Sequence, residues 1–316
     1  MSVPVPIPVR VQGMRFEARN VVSVELMLPD GSELPAFTPG AHIDLHLQDG
    51  LKRSYSICSE PGQRDRYVVG VLHERNSRGG SAYIHEKLRP GQQMLIDPPR
   101  NHFQLEASAE HSVLIAGGIG ITPILCMYED LMRQGRRVNL LYAARSRPEA
   151  AFLSRVPAAD GSQLHFDDEH GGPPDLSRFL AAMPASAHFY CCGPKPMIDA
   201  FEAAAAGLNL AHCHVERFSA KDAGPVRGKA YEVTLARAGI TVAVSSGARL
   251  LDCLLDAGID IPHSCREGVW GSCETRVLQG TPEHRDSVLS DSEKAANNCM
   301  MVCVSGSLGA NLVLDL

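Results

Sequence analysis

The stretch "SVLIAGGIGITPILCMYEDLMRQG", residues 112–135, limits the fold more than any other part of the chain. Its apolar start reads as a strand buried on both faces. Gly117, Gly118 and Gly120 make a turn, Thr122 and Pro123 open a helix, and Gly135 ends it. Proline at a first helical position costs no hydrogen bond. A strand that runs through a glycine turn into a helix belongs to a parallel sheet covered by helices. "RVNLLYAAR" supplies the next buried strand, "HFYCCGPKPMIDAFEAAAAGL" repeats strand, turn and helix, and "HCHVERF" adds a late strand. Residues 107–222 are therefore expected to form an α/β domain.

That context is the one a pyrophosphate turn requires, although the third glycine of the usual fingerprint is replaced. Cys192 and Gly193 fall at the C-terminal end of a parallel strand, where ligands bind in open α/β sheets. Cys192 could pack beside a nicotinamide, or be an inert buried thiol. Arg145, Ser146 and Arg147 could accept a ribose 2′-phosphate, or form a solvated basic loop. Glu216 and Phe218, in "HVERF", could close over a flavin, or simply end a strand with ordinary alternation.

Residues 1–106 read as all-β: short alternating runs such as "VVSVELML", "AHIDLHL" and "RYVVGVL", separated by Gly, Pro and Asp turns. A small antiparallel barrel fits this pattern, with one short helix near "GGSAYIHEKL". Within "RSYSIC", Tyr55 can stack on a flat ring, Ser56 can donate a hydrogen bond and Arg53 can pair with a phosphate. Gly79, Gly80 and Ser81 precede the short helix, and backbone N–H groups at a helix start favour anions. "SAKDAGPVRGKA", residues 219–230, reads as a linker, with residues 223–230 separating the last two domains. Residues 231–316 form a third unit with an expected hairpin in "YEVTLARAGITVAVS", a helix in "ARLLDCLLDAGI" and closing strands in "MMVCVSGSLGANLVLDL".

The 316 residues carry a net charge of −6 and no Lys/Arg-rich run, which argues against a nucleic-acid partner. No apolar run is long enough for a membrane helix. The N-terminus lacks a basic start followed by an apolar core, so no signal peptide is read and a cytoplasmic location is expected. Ten cysteines are then expected to be thiols or metal ligands rather than disulfides. Six are scattered in apolar settings. Four (Cys265, Cys273, Cys299 and Cys303) cluster near the C-terminus. Residues 231–316 hold eleven Asp/Glu against six Lys/Arg, a net of −5 out of the protein's −6. That unit is either simply well solvated or steers docking to a basic partner.

"CREGVWGSC" raises a specific question. Plant-type ferredoxins space three ligands C-x4-C-x2-C, with a fourth much later. Cys265, Cys273 and Cys303 match the first, third and fourth positions, and Gly268 and Gly271 suit a tight loop. Trp270 stands at the second.

Taken together, "RSYSIC", "SRGGSAYIHE", "DPPRNHF", "AGGIGITP", "YCCGP", "HVERF", "CREGVWGSCETRVLQG", "HRDSVLSDSEK" and "MMVCVS" resemble the phthalate dioxygenase reductase family, the reductase components of Rieske-type oxygenases and demethylases. The resemblance spans nearly the whole chain and runs in the family's order. It implies a flavin β-barrel at 1–106, a pyridine-nucleotide α/β domain at 107–222 and a C-terminal α+β ferredoxin of the β-grasp type at 231–316. It implies FMN, NADH and a [2Fe–2S] cluster as cofactors, a Rieske-type oxygenase as partner, and a monomer. FMN would be held by Arg53, Tyr55, Ser56, Gly79, Gly80 and Ser81. Gly117, Gly118, Gly120, Thr122, Cys192 and Gly193 would line the nicotinamide side, with Phe218 near the flavin ring. Ser56 and Cys192 would act as positional and electronic aids to hydride transfer, and electrons would pass singly to the cluster. In the family a cysteine ligates iron where this chain has Trp270, and an indole offers one N–H and no thiolate. Three outcomes stand open: no cluster, which would leave a flavin reductase or diaphorase; a surrogate ligand, either Cys299 or the poorer Ser272; or a chain that carries a substituted cysteine.

Overall fold

A computed structural model describes residues 5–75, 77–156, 161–219 and 228–316. The chain divides into two units, Met1–Phe218 and Ser219–Leu316.

The first unit opens with six antiparallel strands: β1 (Ile7–Ala18), β2 (Val21–Met27), β3 (His42–His46), β4 (Lys52–Ser56), β5 (Tyr67–Leu72) and β6 (Gln93–Ile96), with helix α1 (Gly80–Glu86) between the last two. They pair in the order β4-β3-β6-β1-β2-β5. A bridge between Ile57, just past β4, and Val69 on β5 joins the two edges and closes the barrel. Alternation along β2 turns Val22, Val24 and Leu26 inward with Ile43, Leu45 and Tyr67. Full burial of one such side chain contributes about 1.5–3 kcal/mol.

The chain then builds the parallel sheet from β7 (His111–Gly117), β8 (Arg137–Ala144), β9 (Ser162–Phe166), β10 (His188–Cys192) and β11 (Cys213–Glu216), in the order β11-β10-β7-β8-β9. Helix α2 (Ile121–Arg133) covers one face. The helices α4 (Leu176–Ala181) and α5 (Lys195–Gly207) cover the other, and the one-turn α3 (Asp167–His170) follows β9. The strand order changes direction at β7, between β8 and β10, so ligands are expected at the C-terminal ends of β7 and β10. Sequence reading passes over β9 and α4. Both are short, and among the described residues between β8 and β9 the helical turns are two single ones, at Arg147–Glu149 and Leu153–Arg155.

The two sheets of this unit share a seam. Arg155 pairs with Glu129 of α2 at 2.7 Å and donates to the Cys58 carbonyl beyond β4 at 2.6 Å. The Cys126 thiol of α2 donates to the Ser59 carbonyl at 3.3 Å. One apolar cluster includes barrel residues Ala18, Val21 and Cys58 together with Ile121, Tyr142 and Tyr190.

The second unit is a mixed sheet ordered β13-β12-β18-β14-β16, from β12 (Tyr231–Leu235), β13 (Ile240–Val244), β14 (Glu274–Gln279), β16 (Cys299–Met301) and β18 (Asn311–Leu314). The expected hairpin is β12 against β13, and β12 also pairs parallel to β18. A two-stranded ribbon joins β15 (Pro282–Glu283) to β17 (Gly306–Ser307). Helix α6 (Leu250–Asp256) buries Leu250, Leu251 and Leu254 in the core, and α7 (Asp291–Ala296) starts in a Ser290–Glu293 capping box. Of the expected linker, residues 220–227 lie outside the described residues.

Candidate functional site

The barrel contributes β4 and the loop before α1. Gly79 takes a left-handed φ of +90° as the residue ahead of α1, a conformation that suits glycine. Gly80 packs so closely on Arg53 that an added Cβ would lie 2.5 Å from its Cγ. The Arg53 guanidinium reaches back to the Lys52 and Arg78 carbonyls, each at 2.8 Å. A cation, a glycine turn and a helix start are thus assembled together, the donor set a phosphate requires. The Ser81 hydroxyl is used inside the loop: it donates to Ser77 and accepts from the Glu74 amide. Tyr55 is half-buried against the barrel core, and burial raises its phenol well above the ordinary range.

The parallel sheet contributes the ends of β7, β10 and β11. Register pairs Cys192 with Ala116 on one side and with Glu216 on the other. An added Cβ at Gly120 would sit 2.3 Å from the Cys192 carbonyl oxygen, so the two strand-end turns meet backbone to backbone. Thr122 is buried, and its hydroxyl donates to the Ile119 carbonyl at 3.0 Å, closing its own turn. Its methyl lies 2.6 Å from where a Cβ on barrel residue Gly70 would stand, so Thr122 also belongs to the seam between the sheets.

At that seam Ser56, Cys192 and Glu216 come together. All three are buried. The Cys192 thiol faces Glu216 Oε2 at 4.0 Å. Burial raises the Glu216 carboxyl to about 8, and the Ser56 hydroxyl opposes that rise. Ser56 Oγ nevertheless makes no hydrogen bond of proper geometry; it lies near the carboxyl without satisfying it. Burial keeps the Cys192 thiol protonated, and a charge on Glu216, where it forms, acts in the same direction. A serine from the barrel, a neutral thiol and a carboxyl that is mostly protonated at pH 7 therefore share one place, next to two glycine turns. Phe218 is half-buried against the same apolar cluster. Sequence reading placed Glu216 near a flavin but not beside Cys192, because that contact depends on the register of β11. A flavin phosphate fits the first group of residues, and a flat ring with a nicotinamide fits the strand ends.

Arg147 is engaged. It binds Glu169 through two contacts, at 3.1 and 3.2 Å, and its guanidinium lies 4.3 Å over the Phe166 ring. A carboxylate therefore stands at the loop where a 2′-phosphate would have to bind, which favours NADH.

In the second unit, Cys265, Cys273 and Cys303 come together. The Cys303 thiol is within hydrogen-bond reach of both others. The loop aims amides at sulfur: Glu267 N and Val269 N lie 3.4 and 3.5 Å from Cys265 Sγ, and Gly268 N bonds to Cys303. Positive φ at Arg266, Gly268 and Gly271 makes this possible. The Cys265 thiol is pushed far up, first by its bond with Cys303 and then by burial. Among the described residues, no group of three or more His, Cys, Asp and Glu could hold a single metal ion. A two-iron cluster makes a different demand, since its ligands spread over two metals. Trp270 is only 8% exposed, so its indole is turned into the unit. Three thiols fit a [2Fe–2S] cluster; the fourth ligand position does not.

Known proteins share this plan. Residues 233–306 match the 2Fe-2S iron-sulfur cluster binding domain, and residues 93–215 match the N-terminal domain of dimethylamine monooxygenase subunit DmmA-like proteins. The chain is 48% identical to a phenoxybenzoate dioxygenase subunit beta of Ectopseudomonas oleovorans over 98% of each chain. The crystal structure of phthalate dioxygenase reductase, described as a modular structure for electron transfer from pyridine nucleotides to [2Fe-2S], is 34% identical, with a TM-score of 0.71 over 98% of each chain. An intact type IV self-sufficient cytochrome P450 monooxygenase is 35% identical with a TM-score of 0.91; all of this chain matches 43% of that one.

Proposed function

Because this chain belongs to the phthalate dioxygenase reductase family, we propose that it oxidises NADH on an FMN held by the barrel and serves as the reductase of a Rieske-type oxygenase. The observation that supports this reading most is the meeting of Ser56, Cys192 and Glu216 beside two glycine turns. When bound, FMN supplies the change from two-electron to one-electron chemistry. The residues of the chain supply the rest. Arg53 and the amides ahead of α1 balance the phosphate charge. Tyr55 and Phe218 offer apolar faces for a ring. The turns at Gly117–Gly120 and Cys192–Gly193 let the nucleotide approach the backbone closely. Burial at the strand ends excludes water, and Glu216 holds a proton next to Ser56. These residues carry the route as far as the flavin; the cysteine loop lacks a fourth thiolate. The acidic second unit suits a partner with a basic docking face.

Anaerobic mixing of the FMN-loaded chain with NADH tests the proposal. The flavin absorbance is expected to bleach, and Ser56→Ala and Cys192→Ala are each expected to slow bleaching about tenfold or more, a loss near 1.4 kcal/mol. An FMN-loaded chain that NADH leaves yellow would overturn the reading.

A further inference from the structure

We infer that this chain does not assemble a [2Fe–2S] cluster, and that the sole cause is the ligand lost at Trp270 rather than any failure of the loop around it. The loop retains what a cluster asks of the backbone. Amides 267, 268 and 269 point at the sulfurs of Cys265 and Cys303, and the left-handed residues that aim them are in place. Gly268 is clamped from outside: an added Cβ would meet Val304 at 2.5 Å and the Asp286 backbone at 3.0 Å. Ser287 N bonds the Gly268 carbonyl at 2.8 Å, so the segment after β15 holds the loop shut. Trp270 itself is buried within this frame.

Neither candidate surrogate is placed to serve. Cys299 stands on β16 opposite Arg276, and its thiol bonds the Glu274 carboxylate. It is not one of the three thiols that meet at Cys303. Burial and the charges of Glu274, Glu293 and Asp286 raise the Cys299 thiol, so a thiolate is disfavoured there. The Ser272 hydroxyl is bound to the Ser264 hydroxyl, and a neutral oxygen is a poor replacement for thiolate at iron.

This inference goes beyond the reading of the flavin site, and the two fail separately. The test is iron and acid-labile sulfide per chain after anaerobic reconstitution with ferrous iron and sulfide, on the full chain and on Trp270→Cys and Trp270→Ala. The full chain and the alanine variant are expected to retain less than about a tenth of the iron that Trp270→Cys holds, while Trp270→Cys takes up two irons and two sulfides and gives a rhombic EPR signal once reduced. Two irons in the unaltered chain would overturn the inference, since another residue would already be the ligand. A full complement in Trp270→Ala would also overturn it, because bulk rather than a missing ligand would then be the obstacle. Equal low iron in a folded Trp270→Cys would show a second defect in the loop. Where Trp270→Cys fails to fold by near-ultraviolet circular dichroism, iron in the unaltered chain still decides. Bleaching by NADH on the same samples reports the first unit independently.

Discussion

The seam at Ser56 and the loop at Trp270 make an instructive pair. Both are built mainly from backbone: strand ends and glycine turns in one, left-handed residues and aimed amides in the other. At the seam every side chain that the backbone positions has chemistry to match. At the loop the backbone positions four groups and the sequence supplies three thiols and an indole. The difference shows that a site's frame and its reacting groups are specified separately. The frame is held by many hydrogen bonds and close packing and survives one substitution, whereas a ligand set of four does not.

The largest expected effect tests the frame at the complete site. Gly120→Val would drive a side chain into the Cys192 carbonyl and the Gly193 amide, both backbone atoms. It is expected to destabilise the first unit by about 3 kcal/mol or more and to abolish flavin reduction, as read by thermal unfolding and NADH bleaching. A folded, active variant would mean that the two turns need not touch.

A smaller effect is expected at Arg53. Its loss removes a charged donor, an interaction worth about 1.5–3 kcal/mol. Arg53→Ala should therefore weaken FMN binding about 10- to 150-fold, measurable by fluorescence titration, with the NADH affinity little altered.

Glu216 gives a pH-dependent readout. Its folded value of about 8 stands above its ordinary 4.5, so the folded state binds this proton more tightly than the unfolded chain does. Its contribution to stability is full below about pH 4.5, falls as pH rises, and is lost above about pH 8. The change is on the order of 3–5 kcal/mol across that window. The half-buried His188 and His214, whose values burial lowers, act oppositely at low pH. The difference in melting temperature between the unaltered chain and Glu216→Gln isolates the carboxyl: it should favour the glutamine variant increasingly from pH 5 to 8. A flat difference would place Glu216 in contact with solvent.

The smallest effect concerns the donor. The Arg147–Glu169 pair is exposed, and such pairs are worth at most about 1 kcal/mol. Glu169→Gln should raise kcat/KM for NADPH a few-fold and leave NADH nearly unchanged. No gain with NADPH would place the ribose elsewhere.

Much of this contrast was legible in the sequence. The strand–glycine–helix pattern at 112–135 fixed the parallel sheet because its period and turn residues agree. The alternating runs before residue 106 gave a barrel for the same reason, and cysteine spacing exposed Trp270. Contacts made across registers were not legible. Cys192 meets Glu216 only because β10 and β11 pair as they do. The bonds that brace the Ser81 hydroxyl against Ser77 and Glu74, and the bond by which the Thr122 hydroxyl closes its own turn, likewise depend on loop geometry that spacing does not encode. Elements of five or six residues such as β9 and α4 are too short for their periodicity to stand out.

The most direct measurement is an anaerobic NADH titration of the FMN-loaded, iron-reconstituted chain, followed across the whole visible spectrum. The flavin bands are expected to disappear at about one NADH per flavin, consistent with a two-electron donor, with no broad long-wavelength absorbance to bleach alongside them. Flavin bands that persist, or a cluster band that falls together with them, would contradict that expectation.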